Sequence, residues 1–130
     1  MNQYKILISA PVDFLPDLKI EMMKEFDCIF SYNADRNTTE TLLKRNKFDA
    51  WLVSPCPTYF IDPFMLDICP SLKMVATPST GSNHLDVNYL KQKSIGFFSL
   101  KGTKIVDGIR ASSEFTFNLM ISTIRNTPFA

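Results

Sequence analysis

The chain alternates short apolar runs with segments whose apolar residues recur at helical spacing. Lys5-Ile6-Leu7-Ile8-Ser9 reads as a buried strand with a turn at Pro11. From Phe14 to Glu25 the positions Leu15, Leu18, Met22 and Met23, with Phe26 beyond, predict a helix that tolerates Pro16 in its first turn. Cys28-Ile29-Phe30-Ser31-Tyr32 predicts a second strand. Asn37-Thr38-Thr39-Glu40 offers a cap to a helix carrying Leu42, Leu43 and Phe48. Ala50-Trp51-Leu52-Val53 predicts a third strand, broken by Pro55 and Pro57, and a short helix from Asp62 to Ile68 ends at Pro70.

The second half repeats the alternation. Lys73-Met74-Val75-Ala76-Thr77 predicts a fourth strand and Pro78 to Asn83 a tight loop. Asp86 caps a helix running to Lys93, and Ile95 to Leu100 predicts a fifth strand. After a loop holding Gly102 and Gly108, Ser112 or Ser113 opens a helix with Phe115, Leu119, Met120, Ile121 and Ile124, continuing to Asn126 before Pro128. The order βαβαβαβαβα implies an α/β fold, a parallel sheet sandwiched between helices. Right-handed crossovers then favour a flavodoxin-like three-layer arrangement, a five-stranded parallel sheet in the order 2-1-3-4-5.

Composition narrows the chemistry. The 130 residues form one domain's worth of chain with a net charge of +1. Lys and Arg are spread from Lys5 to Arg125, which argues against a nucleic-acid or polybasic membrane surface. There are four glycines, Gly81, Gly96, Gly102 and Gly108. Their spacing permits neither a G-x-G-x-x-G dinucleotide fingerprint nor a P-loop. One histidine, His84, and no C-x-x-C pair leave no ordinary zinc site, so no metal is expected. The N-terminus runs directly into a strand without a signal-peptide pattern, and no apolar stretch approaches the ~20 residues of a membrane span. With three widely separated cysteines, Cys28, Cys56 and Cys69, this sets the expectation of reduced thiols in a cytoplasmic protein. Cys28 and Cys56, in or beside strands, are expected to be buried small hydrophobes rather than nucleophiles.

In open α/β sheets ligands bind outside the carboxyl ends of the strands, near the switch in strand order. That rim comprises Ser9-Ala10-Pro11-Val12, Ser54-Pro55-Cys56-Pro57 and Thr77-Pro78-Ser79-Thr80-Gly81-Ser82. The third loop sets small and hydroxyl residues around Gly81, so its N–H groups could cradle an anion; the same composition also makes an ordinary tight turn. Asn83-His84-Leu85-Asp86 invites a His–Asp catalytic reading. Asp86 is better placed as a helix cap, and His84 is expected to be structural, bonded to a nearby backbone carbonyl.

These residues carry a family resemblance. Ala76-Thr77-Pro78-Ser79-Thr80-Gly81-Ser82-Asn83-His84-Leu85-Asp86 resembles a signature of the D-isomer-specific 2-hydroxyacid dehydrogenases, a family that includes phosphoglycerate and D-lactate dehydrogenases and glyoxylate/hydroxypyruvate reductases. The resemblance continues through Leu90-Lys91-Gln92-Lys93-Ser94-Ile95 and Gly96-Phe97-Phe98-Ser99-Leu100. Ala111-Ser112-Ser113-Glu114-Phe115-Thr116 is similar to the start of the family's interdomain helix. It runs from Lys5 to Pro128 in the family's order.

The resemblance implies that residues 1–110 are the N-terminal portion of a substrate-binding, or catalytic, domain. Residues 111–130 would then be the interdomain helix leading towards an absent NAD-binding Rossmann domain. The catalytic Arg, Glu and His would lie in that downstream part; no residue here matches them, and His84 is not the catalytic histidine. By resemblance, backbone N–H groups of Ser79, Thr80 and Gly81 hold the substrate carboxylate, and Ser54 and Pro55 line the substrate pocket. Thr80 and Ser112 approach the cofactor. The intact enzyme would transfer hydride between NAD or NADP and a small 2-hydroxy or 2-keto acid. The isolated chain would be inactive and hold no tightly bound cofactor. Two departures from the family pattern stand out: Ser79 where many members carry Gly, and Phe115 where several carry His.

A different class remains open: an autonomous flavodoxin-like binding or regulatory module without catalysis. Against a response regulator, no paired acidic cluster follows the first strand; against a flavin protein, the first loop lacks a Ser/Thr-rich phosphate cradle. Finally, Met120, Ile121, Ile124 and Phe129 make more apolar surface than one domain needs at its edge. A homo-oligomer formed through the last helix is therefore expected.

Overall fold

The computed structural model of the chain describes residues 4–125. Five parallel strands, β1 (Lys5–Ile8), β2 (Asp27–Phe30), β3 (Ala50–Leu52), β4 (Met74–Thr77) and β5 (Gly96–Ser99), form one sheet in the order β2-β1-β3-β4-β5. The registers Leu7↔Ile29, Leu7↔Trp51, Trp51↔Val75 and Val75↔Phe97 set these side chains in a row across one face. That face is the core. Leu7, Trp51 and Val75 on it are fully buried, and Ile29 and Phe97 pack at its edges.

Helices α2 (Arg36–Arg45), α3 (Pro63–Asp67) and α4 (Val87–Gln92) cover this face through Leu43, Met65, Leu66 and Leu90. Helix α1 (Pro16–Glu25) lies against β2 and buries none of its side chains. The order and the layering agree with the flavodoxin-like fold expected from the alternation. At β4–β5 the second face of the sheet is open, and Met74 and Phe98 are exposed there.

Local chemistry moved several boundaries. The cap of α2 is Asp35, whose carboxylate accepts a hydrogen bond from Thr38 N at 2.7 Å. Asn37 and Thr39, expected at the cap, lie inside the helix, and the buried Thr39 hydroxyl reaches Asp35 O and Tyr59 Oη. Pro63 stands at the start of α3, where a missing N–H costs nothing, and Asp62 caps it through Met65 N. Asp86 caps α4 through Tyr89 N, as the sequence predicts. The stretch read as a loop after β5 contains a short helix, α5 (Lys104–Asp107).

The last helix, α6, spans Ala111–Ile124, so Ser112 and Ser113 lie in its first turn. Neither opens it; the flanking residue is Arg110, which makes no side-chain cap bond. Its side chains are exposed at every position except Ser122. The expected continuation to Asn126, and Phe129, lie outside the described residues.

Candidate functional site

The parallel sheet delivers three loops to its carboxyl edge, and the loops after β3 and β4 face each other there. A cleft of about 390 Å³ opens between them, lined by Pro55, Cys56 and Pro57 on one side and Ser79, Gly81, Asn83 and His84 on the other. Its walls are fixed to each other by a one-residue parallel bridge between Ile61 and Leu85. Ile61 N donates to His84 O at 2.9 Å, and Asp86 N donates to Ile61 O at 3.1 Å.

Hydroxyl groups stiffen the β4 side. Ser79 Oγ donates to Gly81 O at 2.7 Å, and Thr77 Oγ1 lies 3.0 Å from Ser79 Oγ and 3.2 Å from His84 Nε2. Leu100 N donates to Ser79 O at 2.9 Å, which ties the loop to the end of β5. Burial holds the His84 imidazole below its ordinary pKa, so the ring is neutral at physiological pH. The expected partner for His84 was a backbone carbonyl; the structure gives it the Thr77 hydroxyl instead, because Thr77 is buried at the strand end and needs a partner.

With these side chains committed, the amides of Ser79, Thr80 and Gly81 donate to no acceptor among the described residues. A Cβ on Gly81 would meet nothing within 4 Å, and its φ is outside the left-handed region. Neither fold nor turn therefore requires glycine there. The space it leaves faces the cleft.

Of the residues singled out from the sequence, Pro55, Ser79 and Gly81 meet in this cleft. Ser54 lines an adjacent narrow recess that reaches Ser9 and Tyr59. Thr80 is exposed in its loop, among the lining residues of neither space. Ser112 lies on α6, in a shallow groove with Thr116 and Met120.

Cys56, expected to be buried, is exposed between two prolines and lines both spaces. β3 ends at Leu52, and the Ser54-Pro55-Cys56-Pro57 segment beyond it carries the thiol to the rim. Cys28 is half-buried, its thiol 3.6 Å from Met22 O and its pKa raised by burial and by Asp27. Cys69 is buried. Asn83 was not singled out; its position two residues past Gly81 is the signal that could have placed it. Among the described residues no three His, Cys, Asp or Glu side chains gather as metal ligands, and no helix is long and apolar enough to cross a membrane.

The family described as D-isomer specific 2-hydroxyacid dehydrogenase, catalytic domain, matches residues 6–106. Among solved structures, the apo form of D-mandelate dehydrogenase from Rhodotorula graminis superposes with a TM-score of 0.70 at 20% identity, over 92% of this chain and 36% of that one. D-lactate dehydrogenase from Aquifex aeolicus, complexed with NAD and lactic acid, gives 0.68 at 24% identity, over 91% and 33%. A phosphoglycerate oxidoreductase from Vibrio cholerae gives 0.62 at 17%, over 92% and 36%. At these identities the likeness is one of fold. The chain spans about a third of the length of each of these proteins. A comparison with curated proteins gives no match.

Proposed function

This chain belongs to the D-isomer-specific 2-hydroxyacid dehydrogenase family through its catalytic domain, and we propose that it forms the carboxylate seat of an enzyme interconverting a small 2-hydroxy acid and its 2-keto acid. The observation that carries the reading is the set of uncommitted amides at Ser79, Thr80 and Gly81, beside the space left by Gly81. Convergent N–H groups bind a carboxylate without introducing another titratable group. The hydroxyls of Thr77 and Ser79, already engaged with His84 and Gly81, hold those amides in place rather than competing for the acid.

Residues 1–110 act as the N-terminal portion of the substrate domain, and 111–130, beginning with α6, as the connection towards a nucleotide-binding domain. The cofactor is NAD or NADP, which supplies or accepts the hydride when bound. Thr80 and Ser112 fit the edge of that site: both are exposed, and neither is drawn into the cleft. The groups that move the hydroxyl proton, and a cation to complete the carboxylate site, belong to the downstream part. The working compartment is the cytoplasm, and the partners are small acids rather than nucleic acid or membrane.

Titration of ¹⁵N-labelled 1–130 with glyoxylate tests the seat. The Ser79, Thr80 and Gly81 amides move first and most; shifts confined to other loops overturn it. Purified 1–130 with NADH and glyoxylate or hydroxypyruvate shows no turnover, because orientation of donor and acceptor needs both domains. Detectable reduction by the isolated chain contradicts that.

A further inference from the structure

The two faces of the sheet are covered unequally. The crossovers after β2, β3 and β4 put α2, α3 and α4 on the core face. The opposite face has α1 over β2, where the Cys28 thiol donates to Met22 O at 3.6 Å and Lys19 Nζ lies 4.6 Å from the centre of the Phe30 ring. From β3 to β5 this face carries Leu52, Ala76 and Phe98 in one row and Ala50, Met74 and Gly96 in the next. None of the six is polar, yet Met74 and Phe98 are 43% and 47% exposed. Parallel strands are normally buried on both faces. The span from β3 to β5 is two strand spacings, about 10 Å, so the open face has room for one helix.

Helix α6 has the character that this place requires. Phe117, Met120, Ile121 and Ile124 recur at i, i+3, i+4 and i+7, which sets them along one side of the helix. They are 42% to 81% exposed, and no charged residue follows Glu114 in the helix. Its 14 residues extend about 21 Å, enough to cover a strand of four residues, about 13 Å, from end to end. The chain's own α6 does not occupy the place: α5 intervenes after β5, and the side chains of α6 are exposed at every position except Ser122.

We propose that the open face is covered by α6 of a second copy, in a reciprocal exchange: each chain lays its helix on the β3–β5 face of the other. Both surfaces are uncharged, so neither joint buries an unpaired charge. The same pair of surfaces meets twice about a twofold axis. Over two joints, the exposed parts of Met74, Phe98 and the four side chains of α6 amount to on the order of 1,000 Å², about what a specific interface requires. Pairing of α6 with another α6 would leave Met74 and Phe98 in water, and pairing of face with face would leave the helix there. The exchange covers both.

Met74 marks the face, Met120 marks the helix, and the fully buried Met65 marks the core. The 130-residue chain, labelled with ¹³C-methyl methionine, is observed between about 10 µM and about 500 µM. The expected result is that the Met74 and Met120 methyl signals shift together with one midpoint while Met65 stays still. Phe98 is outside the core, so Phe98→Glu leaves the Met65 signal in place. Its charge should raise the midpoint of both Met74 and Met120 about tenfold or more.

If Met120 still shifts at the original midpoint in Phe98→Glu, α6 pairs elsewhere and the proposal falls. It falls equally if, in the unaltered chain, neither signal depends on concentration or only one of them does. Should Phe98→Glu lose the Met65 signal of the folded core, Phe98→Ser, which adds no charge, takes its place and should raise both midpoints several-fold.

Discussion

His84 Nε2 lies 3.2 Å from Thr77 Oγ1, and the donors along the chain of groups it begins have a single consistent direction. Ser79 spends its hydroxyl hydrogen on Gly81 O, so Thr77 must donate to Ser79. Thr77 then has no hydrogen left, and His84 Nε2–H must donate to it. The neutral imidazole is thereby held in its Nε2–H tautomer, and Nδ1 keeps its lone pair. A buried strand-end threonine thus transmits the position of His84 to the turn that presents the Ser79–Gly81 amides.

Replacing Thr77 by Val keeps the shape of the site and removes both of these bonds. His84 Nε2–H loses its acceptor in a half-buried position, at a cost of about 1–3 kcal/mol. Urea denaturation of the variant should show that loss, and amide exchange of Ser79, Thr80 and Gly81 should quicken. Thr77→Ser, which keeps the hydroxyl, should restore the protection of the loop.

The same ring makes stability depend on pH. Burial lowers the folded-state pKa of His84 below its ordinary value of 6.5. Between those two pKa values the unfolded chain binds more protons, so stability rises with pH across that interval. The contribution is complete above 6.5 and is lost as pH falls from there through the folded pKa. Asp49, held low by the Lys73 ammonium and the Lys5 amide, and Asp67, held low by Tyr89 and Lys93, act in a separate window beginning near 3.8. Denaturation midpoints between about pH 5 and 8 should slope downward on acidification in the native chain. In His84→Gln, which keeps a donor near Nε2, they should stay flat below pH 6.5 as well, down to about pH 5.

Gly81→Ala separates folding from binding. The added methyl meets nothing within 4 Å and the backbone is not left-handed, so unfolding free energy should change by no more than about 0.5 kcal/mol. The methyl does occupy the space beside the uncommitted amides, so glyoxylate affinity should fall about tenfold. Unchanged affinity with unchanged stability removes Gly81 from the carboxylate seat.

Asp35 gives a test of where α2 begins. Its carboxylate takes the Thr38 N–H, so Asp35→Ala should cost about 1 kcal/mol, and Asn37→Ala, inside the helix, much less. Thermal or urea unfolding of the two variants distinguishes them directly.

The sheet was legible in the sequence because each central strand is a short, largely apolar run, and such runs alternate with segments of helical spacing, the pattern of a parallel α/β sheet. Right-handed crossovers favoured the order 2-1-3-4-5, and the sheet has it. Features set by single side chains were harder to read. Asp35 and Asn37 are both good caps, and only the position of Thr39, drawn inward to Tyr59, decides between them. Cys56 sits four residues past the end of β3, between two prolines in the loop, and is exposed there. The two loops of the cleft were identifiable as loops at the carboxyl edge. The recess at Ser9 was not, because it depends on Trp51 reaching across from β3 to a hydroxyl one residue past β1, a contact between residues 42 positions apart.

Helix α6 carries the last expectation, self-association. Phe115, Phe117, Leu119, Met120, Ile121 and Ile124 are all exposed, and successive residues turn by about 100°, so these side chains surround the helix instead of marking one stripe. A helix apolar on every side is stable when it is enclosed from more than one direction. Met74 and Phe98 on the open face of the sheet add a second uncovered apolar surface in the same chain. The 130-residue chain should therefore associate with itself, and sedimentation equilibrium should show its average mass rising between about 10 µM and about 500 µM. Phe117→Ser with Ile124→Ser should weaken that rise while leaving the unfolding transition of the sheet in place, since neither side chain belongs to the core. A chain that stays monomeric throughout this range, with rapid amide exchange along the whole of α6, contradicts the expectation.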